Sequence, residues 1–380
     1  MVSVPLSLYI HIPWCVQKCP YCDFNSHGQK QTSLPEKAYV AHLLDDLALD
    51  AQRIGERPVE TIFIGGGTPS LFSEQAIERL LQGVRERVNL APDAEITLEA
   101  NPGTVEAHRF AGYVAAGVNR FSVGVQSFSP SHLKVLGRIH NDQEAENALA
   151  LAQASGVNTF NLDLMHGLPE QSLEQAMNDL KRAIALNPPH LSWYQLTIEP
   201  NTPFYSRPPE LPDDDILWDI QTHGHALLEK AGYRQYEISA YSKPNEMCQH
   251  NINYWRFGDY LGIGCGAHGK ISNPLTGEIL RTVKVKHPRG YMTLDRPYLD
   301  QLTPVTAEER PFEFFMNRFR LHEPILKDAF EQATFQPMDS ATIHIMNNAV
   351  QKGLVEDTEH AWQVTPTGRR YLNSLLAEFV

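Results

Sequence analysis

The chain has 380 residues, 42% of them hydrophobic and 20% charged, with 32 basic against 45 acidic side chains for a net charge of −13. This is the composition of an ordinary folded chain with material for one large domain and a smaller one, and its acidity argues against a nucleic acid partner. No run of 18 apolar residues occurs, and the start, MVSVPLSLYIHIP, lacks a basic segment and a small-residue cleavage site, so neither a spanning helix nor a signal peptide is expected.

In chain order, a short strand at 7–13 runs straight into a cysteine-bearing loop. A helix is expected over 36–55, because Val40, Leu43, Leu44, Leu47 and Ile54 recur at helical spacing. Strand 61–67 then precedes helix 73–88, with Ser73 as N-cap, and strand 95–102 precedes helix 104–117, with Gly117 just past its end. The same alternation continues as strand 120–128 and helix 142–156, strand 159–169 and helix 172–187, then strand 190–200 and helix 214–232.

Six strand–helix units of this kind predict an α/β fold, a partial (β/α)6 barrel, several of whose parallel strands are apolar on both faces. A six-unit barrel is wider and partly open, and barrel sites sit at the carboxyl ends of the strands. Six motifs fall there: the cysteine loop, GGGTP, LEANP, GVQSF, DLMHGLP and IEP. Beyond 232, a strand-like stretch at 233–242 leads to an irregular segment, 243–270, and then to residues 272–300, rich in charge and turn formers. A smaller C-terminal α+β domain begins near 305. It ends as helix 339–353, strands LVED and AWQVT, and helix 367–379, a winged-helix-like pattern. The expected division is therefore 1–232, 233–304 and 305–380.

The stretch YIHIPWCVQKCPYCDF carries Cys15, Cys19 and Cys22, three of the five cysteines in the chain, spaced C-x3-C-x2-C. Thiolates are soft ligands suited to zinc or iron–sulfur clusters. Zinc would want a fourth nitrogen or sulfur ligand nearby, and a [4Fe–4S] cluster normally takes four cysteines. Three local thiols would leave one iron open. Interleaved with Gln17, Lys18 and Pro20, they make a poor core pattern, and few cysteines in metal spacing fit a reducing, cytoplasmic compartment.

This spacing resembles the signature of the radical S-adenosylmethionine (SAM) superfamily. The resemblance implies a [4Fe–4S] cluster whose open iron is chelated by the amino and carboxylate groups of SAM, on a partial (β/α)6 barrel. It also implies an electron donor for the cluster. In GGGTP it assigns Gly66, Gly67 and Thr68 to the SAM amino group. Glu99, Gln126, Arg138 and Asp163 are each, taken singly, ordinary polar residues near strand ends. Together above a cluster they suit ribose hydroxyls, a carboxylate and an amino group. Oxygen-independent coproporphyrinogen III oxidases carry similar E-x-x-P, GVQ, following Arg and DL-x-x-GLP segments. By that similarity Glu99 and Asp163 would bind ribose or sulfonium-side groups, with Gln126 and Arg138 nearby and Tyr9 and Tyr21 packing near cluster and adenine.

Two departures from the coproporphyrinogen enzymes stand out. Those enzymes continue C-x3-C-x2-C-x-C, whereas Phe24 occupies the last position here. And HNINYW (250–255) resembles the H-N-x-x-Y-W motif of the HemW-type heme-chaperone branch of that family. A neutral imidazole is a common axial heme ligand, and Tyr254 and Trp255 could stack on a porphyrin. The resemblance makes His250 the candidate heme-associated residue, with Cys248 and Cys265 as alternatives. The motif is expected on a part of the face separate from the cysteine loop.

The leading expectation is a chaperone that binds heme and passes it to heme-accepting proteins, membrane respiratory cytochromes among them by resemblance, with peripheral membrane association. The alternatives are an oxygen-independent coproporphyrinogen III dehydrogenase and a radical SAM enzyme on another substrate. A second copy of the chain is a further candidate partner.

Overall fold

The computed structural model describes residues 4–29, 33–103, 108–293 and 296–380. The expected alternation forms a sheet from β1 (Leu6–Ile12), β2 (Val59–Gly66), β3 (Leu90–Ala100), β4 (Arg120–Gln126), β5 (Thr159–His166) and β6 (His190–Gln195). Neighbouring strands in this run are parallel. Between them run α1 (Glu36–Ala51), α2 (Glu74–Arg85), α3 (Phe110–Ala116), α4 (Asp142–Ala154) and α5 (Leu173–Ala185), and α6 (Asp214–Lys230) follows β6. The Ser73 hydroxyl accepts from Ala76 N at the start of α2, and Gly117 closes α3 at φ 112°. The first four residues of helix 104–117 lie outside the described residues.

Several strands are expected to be apolar on both faces; instead they alternate. In β4, Phe121, Val123 and Val125 enter the main core while Arg120, Ser122, Gly124 and Gln126 line a cavity. In β5, Phe160, Leu162 and Leu164 join the core and Asn161 and Asp163 face the cavity. One face of the sheet packs under the helices, and the other is a polar interior enclosed by the curl of the sheet. A covered strand can carry polar residues when that inner face is a binding space rather than a packed core.

The segment expected to be irregular is instead well ordered. β7 (Arg234–Glu237) and β8 (Ala240–Ser242) form a hairpin antiparallel to β6, and HNINYW lies on the short helix α7 (Gln249–Trp255). β9 (Asp259–Ile263) adds to β1 as a seventh parallel strand. β10 (His268–Asn273), β11 (Glu278–Lys284) and β12 (Leu299–Pro304) continue antiparallel. The result is a twelve-stranded sheet in the order β12-β11-β10-β9-β1-β2-β3-β4-β5-β6-β8-β7. Glycine and asparagine density read as loop, yet Gly262 and Gly269 sit where strands approach too closely for a side chain. A Cβ on Gly262 would lie 1.9 Å from His268 O, and one on Gly269 2.4 Å from the Thr282 hydroxyl.

Past β12, α8 (Arg310–Arg318), α9 (Lys327–Thr334) and α10 (Ser340–Gln351) share a second core of Phe314, Phe315, Phe319 and Phe330. The hairpin β13 (Val355–Asp357) and β14 (Ala361–Val364) forms the wing. The closing helix is two pieces, Pro366–Arg370 and Leu372–Ala377, parted at Tyr371. No described helix is long and apolar enough to cross a membrane.

Candidate functional site

Two backbone stitches hold the cysteine loop over the carboxyl end of β1. Trp14–Cys15 pairs in parallel with His27–Gly28, and the GGGTP turn grips the other side through Gly67 N to Ile12 O at 2.7 Å and Thr68 N to Trp14 O at 2.8 Å. The glycines are sterically required. Gly66 has φ +117°, and a Cβ there would lie 2.5 Å from the His11 ring, while one on Gly67 would lie 2.6 Å from Trp14 O. Asn25 ties the far end of the loop to the β9–β10 and β11 ends, donating to Cys265 O at 2.9 Å and Lys286 O at 2.8 Å.

The three cysteines, Tyr9, Tyr21, Gly66, Gly67, Thr68, Glu99, Gln126, Arg138, Asp163 and His250 all line one cavity of about 650 Å³. The thiols of Cys15, Cys19 and Cys22 are free, Cys15 being buried and the others part-exposed. Burial pushes the Cys15 thiol up. Arg138 brings Nη1 to 3.7 Å from Cys19 Sγ, and Ser26 Oγ lies 3.5 Å from Cys22 Sγ. Donors at the sulfurs are the surroundings that tune a thiolate-held cluster. Arg138 also donates from Nη2 to Asn101 Oδ1 at 2.7 Å and Gly124 O at 2.5 Å, while its buried Nε has no acceptor among the described residues. An unspent buried donor beside three thiols fits a cluster with an anionic ligand on it.

Among the described residues the acidic groups make no ion pair, though Arg120 is near enough to Asp163 to act on its charge. Glu99 accepts from Gly66 N at 3.0 Å, and burial, with Asp163 nearby, pushes its carboxyl up to about 7. Asp163 accepts from Ser122 at 3.0 Å and Asn161 at 2.7 Å, and burial raises it too. Gln126 is a buried non-glycine residue at φ 68°, its amide oxygen accepting from Tyr194 at 2.8 Å. Left-handed backbone at a cavity wall is the kind of strain found at ligand sites. The hydroxyl of Tyr9 lies 3.0 Å from His11 Nδ1, and its ring stacks on Phe63. Tyr21 packs on Phe204.

The histidine motif shares this cavity instead of standing apart. Glu95 on β3 accepts from Gln249 N at 3.1 Å and His250 N at 3.0 Å, a carboxylate at the start of α7. Both ring nitrogens of His250 are engaged. Thr61 donates to Ser7, so at 2.8 Å it accepts from His250 Nδ1, which leaves Nε2 to accept from the Tyr254 hydroxyl at 3.0 Å. Burial, then Arg120, lower the imidazole to about 3, so it is neutral. Cys248 and Cys265 are buried, line neither large cavity, and are pushed by burial up to about 12.

Sequence reasoning missed Arg120, Ser122, Asn161, His190 and Tyr194, which also line the cavity. The signal was present as polar residues two apart in β4, β5 and β6. It also missed a second cavity of about 820 Å³ that meets the first along Tyr9, Cys22, Phe24, Ser26, Tyr254 and Trp255. Phe24 stands 62% exposed between the two.

Residues 9–181 match the radical SAM superfamily model, and residues 305–371 match the HemN C-terminal domain. The chain is 61% identical to heme chaperone HemW of Escherichia coli strain K12, over 99% of this chain and 98% of that protein. It is 57% identical to heme chaperone HemW of Haemophilus influenzae, again over 99% and 98%. The solved structure of coproporphyrinogen III oxidase (HemN) from Escherichia coli, described as a radical SAM enzyme, superposes with a TM-score of 0.83 at 25% identity, over 99% of this chain and 90% of that one. Full-length similarity of this depth, on a cavity built as above, means that the chain belongs to the HemW family of heme chaperones within the radical SAM superfamily.

Proposed function

We propose that this protein binds heme and hands it to acceptor hemoproteins in the cytoplasm or at a membrane surface, while Cys15, Cys19 and Cys22 hold a [4Fe–4S] cluster and the cavity above them holds SAM. The observation that carries the reading is the convergence of the thiols, the GGGTP turn and the strand-end polar groups on one cavity. When bound, the cluster supplies a redox centre with one iron open to the amino and carboxylate groups of SAM.

The chain's own residues divide the work. The backbone N–H groups of Gly66, Gly67 and Thr68 are already donating within the protein. The turn therefore meets a ligand amino group through its acceptors. Glu99, near neutrality, and Asp163 offer oxygens to ribose hydroxyls or to the positive sulfonium, which would draw both toward the ionised form. Arg138 has its Nε for a carboxylate and steadies the sulfur of Cys19. Gln126, locked by Tyr194, fixes the wall between β4 and β5. His250 acts through Tyr254, whose hydroxyl it orients; ligation of heme iron by Nε2 would require that bond to break.

Phe24 bears on the alternative reading. It sits where the coproporphyrinogen enzymes have a further cysteine, and an exposed phenyl group cannot supply a thiol. One anaerobic experiment tests the proposal: cluster-loaded protein is titrated with heme, and in parallel given coproporphyrinogen III, SAM and reductant. Heme should be retained and no protoporphyrinogen IX formed. Conversion of the porphyrinogen would establish the dehydrogenase instead. Replacing the three loop cysteines together by alanine should remove the iron and the broad visible absorption, and iron that persists would overturn the ligand assignment.

A further inference from the structure

The second cavity differs from the first in charge and in what its histidines are doing. Its wall carries Lys18, Lys270, Arg281 and Lys286 against one carboxylate, Asp23, on a chain whose net charge is −13. Two of these cations are spent. Arg281 is held by Glu313, with Nη2 to Oε2 at 2.6 Å, and Lys270 by Asp259 at 2.8 Å. Lys18 and Lys286 are exposed and lie within 4 Å of no carboxylate among the described residues; Lys18 Nζ donates to Phe24 O at 3.0 Å.

Three histidines line this space. His11 is tied at both nitrogens, to Tyr9 and to Asn25 O, and His27 Nε2 lies 3.3 Å from Asn25 Oδ1. The exposed ring of His268, at the start of β10, makes no hydrogen bond among the described residues. Partial burial, then Lys286 and Arg281, lower its pKa, which favours the neutral imidazole. The apolar part of the wall is aromatic and soft: Phe24, Tyr254, Trp255 and Met316. The buried Trp255 indole N–H has no acceptor among the described residues.

We propose that this second cavity is the heme site, with His268 as the iron ligand, Lys18 and Lys286 pairing with the two propionates, and Phe24 and Trp255 against the macrocycle. The inference rests on the heme-chaperone reading above and gives it a location. A volume of about 820 Å³ suits a flat tetrapyrrole within the range of ligand sites, roughly 300–1,000 Å³. The neighbouring cavity already has the cluster and SAM to accommodate. Two unpaired cations facing a dianion is direct charge complementarity, and a neutral imidazole is the usual protein ligand to heme iron. The shared wall of Phe24, Tyr254 and Trp255 would set heme beside SAM and the cluster rather than in their place.

The test uses full-length, cluster-loaded protein titrated anaerobically with hemin and with hemin dimethyl ester, whose propionates carry no charge. Compared with wild type, His268→Ala should shift the Soret band and weaken hemin binding by about tenfold or more, and added imidazole should restore the wild-type spectrum. Iron content and SAM binding should stay as in wild type, which also reports that the variant is folded. The exposed-site double variant Lys18→Glu/Lys286→Glu should weaken hemin binding but leave the ester unaffected. A wild-type Soret position and affinity in His268→Ala would overturn the assignment, as would a Soret shift in His250→Ala that added imidazole reverses. Failure of the wild-type protein to bind hemin at all would instead remove the heme-chaperone reading itself.

Discussion

Buried charge appears in two places in this molecule, and it is treated in opposite ways. Beneath β9 and β11, the Lys284 ammonium is 1% exposed and reaches Asp46 at 2.5 Å and Asp50 at 2.7 Å, while Tyr291 donates to Asp46 at 2.6 Å. In the cysteine cavity, Glu99, Asp163, Arg120 and Arg138 are buried or half-buried, and among the described residues none of them makes an ion pair. Among the described residues Arg120 and Arg138 each leave Nε without an acceptor, and Gln126 holds a left-handed backbone. The first arrangement resolves its own electrostatics and has nothing left for a ligand. The second keeps charged groups desolvated without an opposite charge and two guanidinium donors unspent, a cost that persists where a ligand later relieves it. Pairing, rather than burial, separates the structural charges from the functional ones.

The largest effect should come from breaking the resolved network. Lys284→Ala leaves buried Asp46 without its cation and Asp50 with only Arg53, at 3.7 Å, and losing one partner of such a buried pair costs about 3–5 kcal/mol. Denaturant unfolding of the two proteins would measure it. Burial already pushes Asp46 up to about 6 despite Lys284, so the variant should bind protons on folding, and its deficit should shrink as pH falls toward 5. A loss under 1 kcal/mol at pH 7 would mean that the network is not a structural brace.

The cavity should respond with the opposite sign. Glu99 has a folded pKa of about 7 against 4.5 for an unperturbed glutamate, raised first by burial and then by Asp163. The folded state therefore holds this proton more tightly than the unfolded one, and stability falls as pH rises from about 4.5 through 7. Glu99→Gln removes that penalty. It should stabilise the ligand-free protein by about 3 kcal/mol at pH 8 and by almost nothing at pH 4. The same change should weaken SAM binding, measured by equilibrium dialysis on cluster-loaded protein. Stabilisation that is equal at both pH values would show that Glu99 is not carrying a buried charge.

The contrast between these regions explains what could be read from the sequence. The six strand–helix units and the cavity face were legible, because periodic apolar residues and strand-end motifs such as the cysteine loop and GGGTP are local signals. The seventh parallel strand, β9, was not. DYLGI pairs with Leu6–Ile10, more than 240 residues earlier in the chain, and Gly262 with the flanking Gly258 and Gly264 reads as loop. Nor was the satisfied state of His250 legible, since its partner Thr61 lies 189 positions away. Lys284 and Asp46 are separated by 238 positions, and nothing local tells a buried, paired lysine from an exposed one. The second cavity escaped for the same reason, being assembled from the cysteine loop, β10, β11 and α8.

The smallest effect tests whether burial is what gives a pair its strength. Arg256 and Glu323 make a geometry as good as Lys284 and Asp46, Nη2 to Oε2 at 2.6 Å and Nε to Oε1 at 2.9 Å, but the arginine side chain is 53% exposed. Water screens both partners, and the guanidinium keeps its hydration when the pair breaks. Glu323 also retains Arg318, at 2.9 Å. Arg256→Ala should therefore cost about 0.2–1 kcal/mol, the range of exposed pairs. The loss should shrink further at 1 M salt, where the screening length is about 3 Å, while the Lys284 deficit should hardly change, because salt does not reach it. Unfolding curves for both variants at low and high salt would read this directly. Equal losses, or equal salt dependence, would mean that geometry rather than desolvation sets the energy of these pairs, and the division between resolved and ligand-ready charge would lose its physical basis.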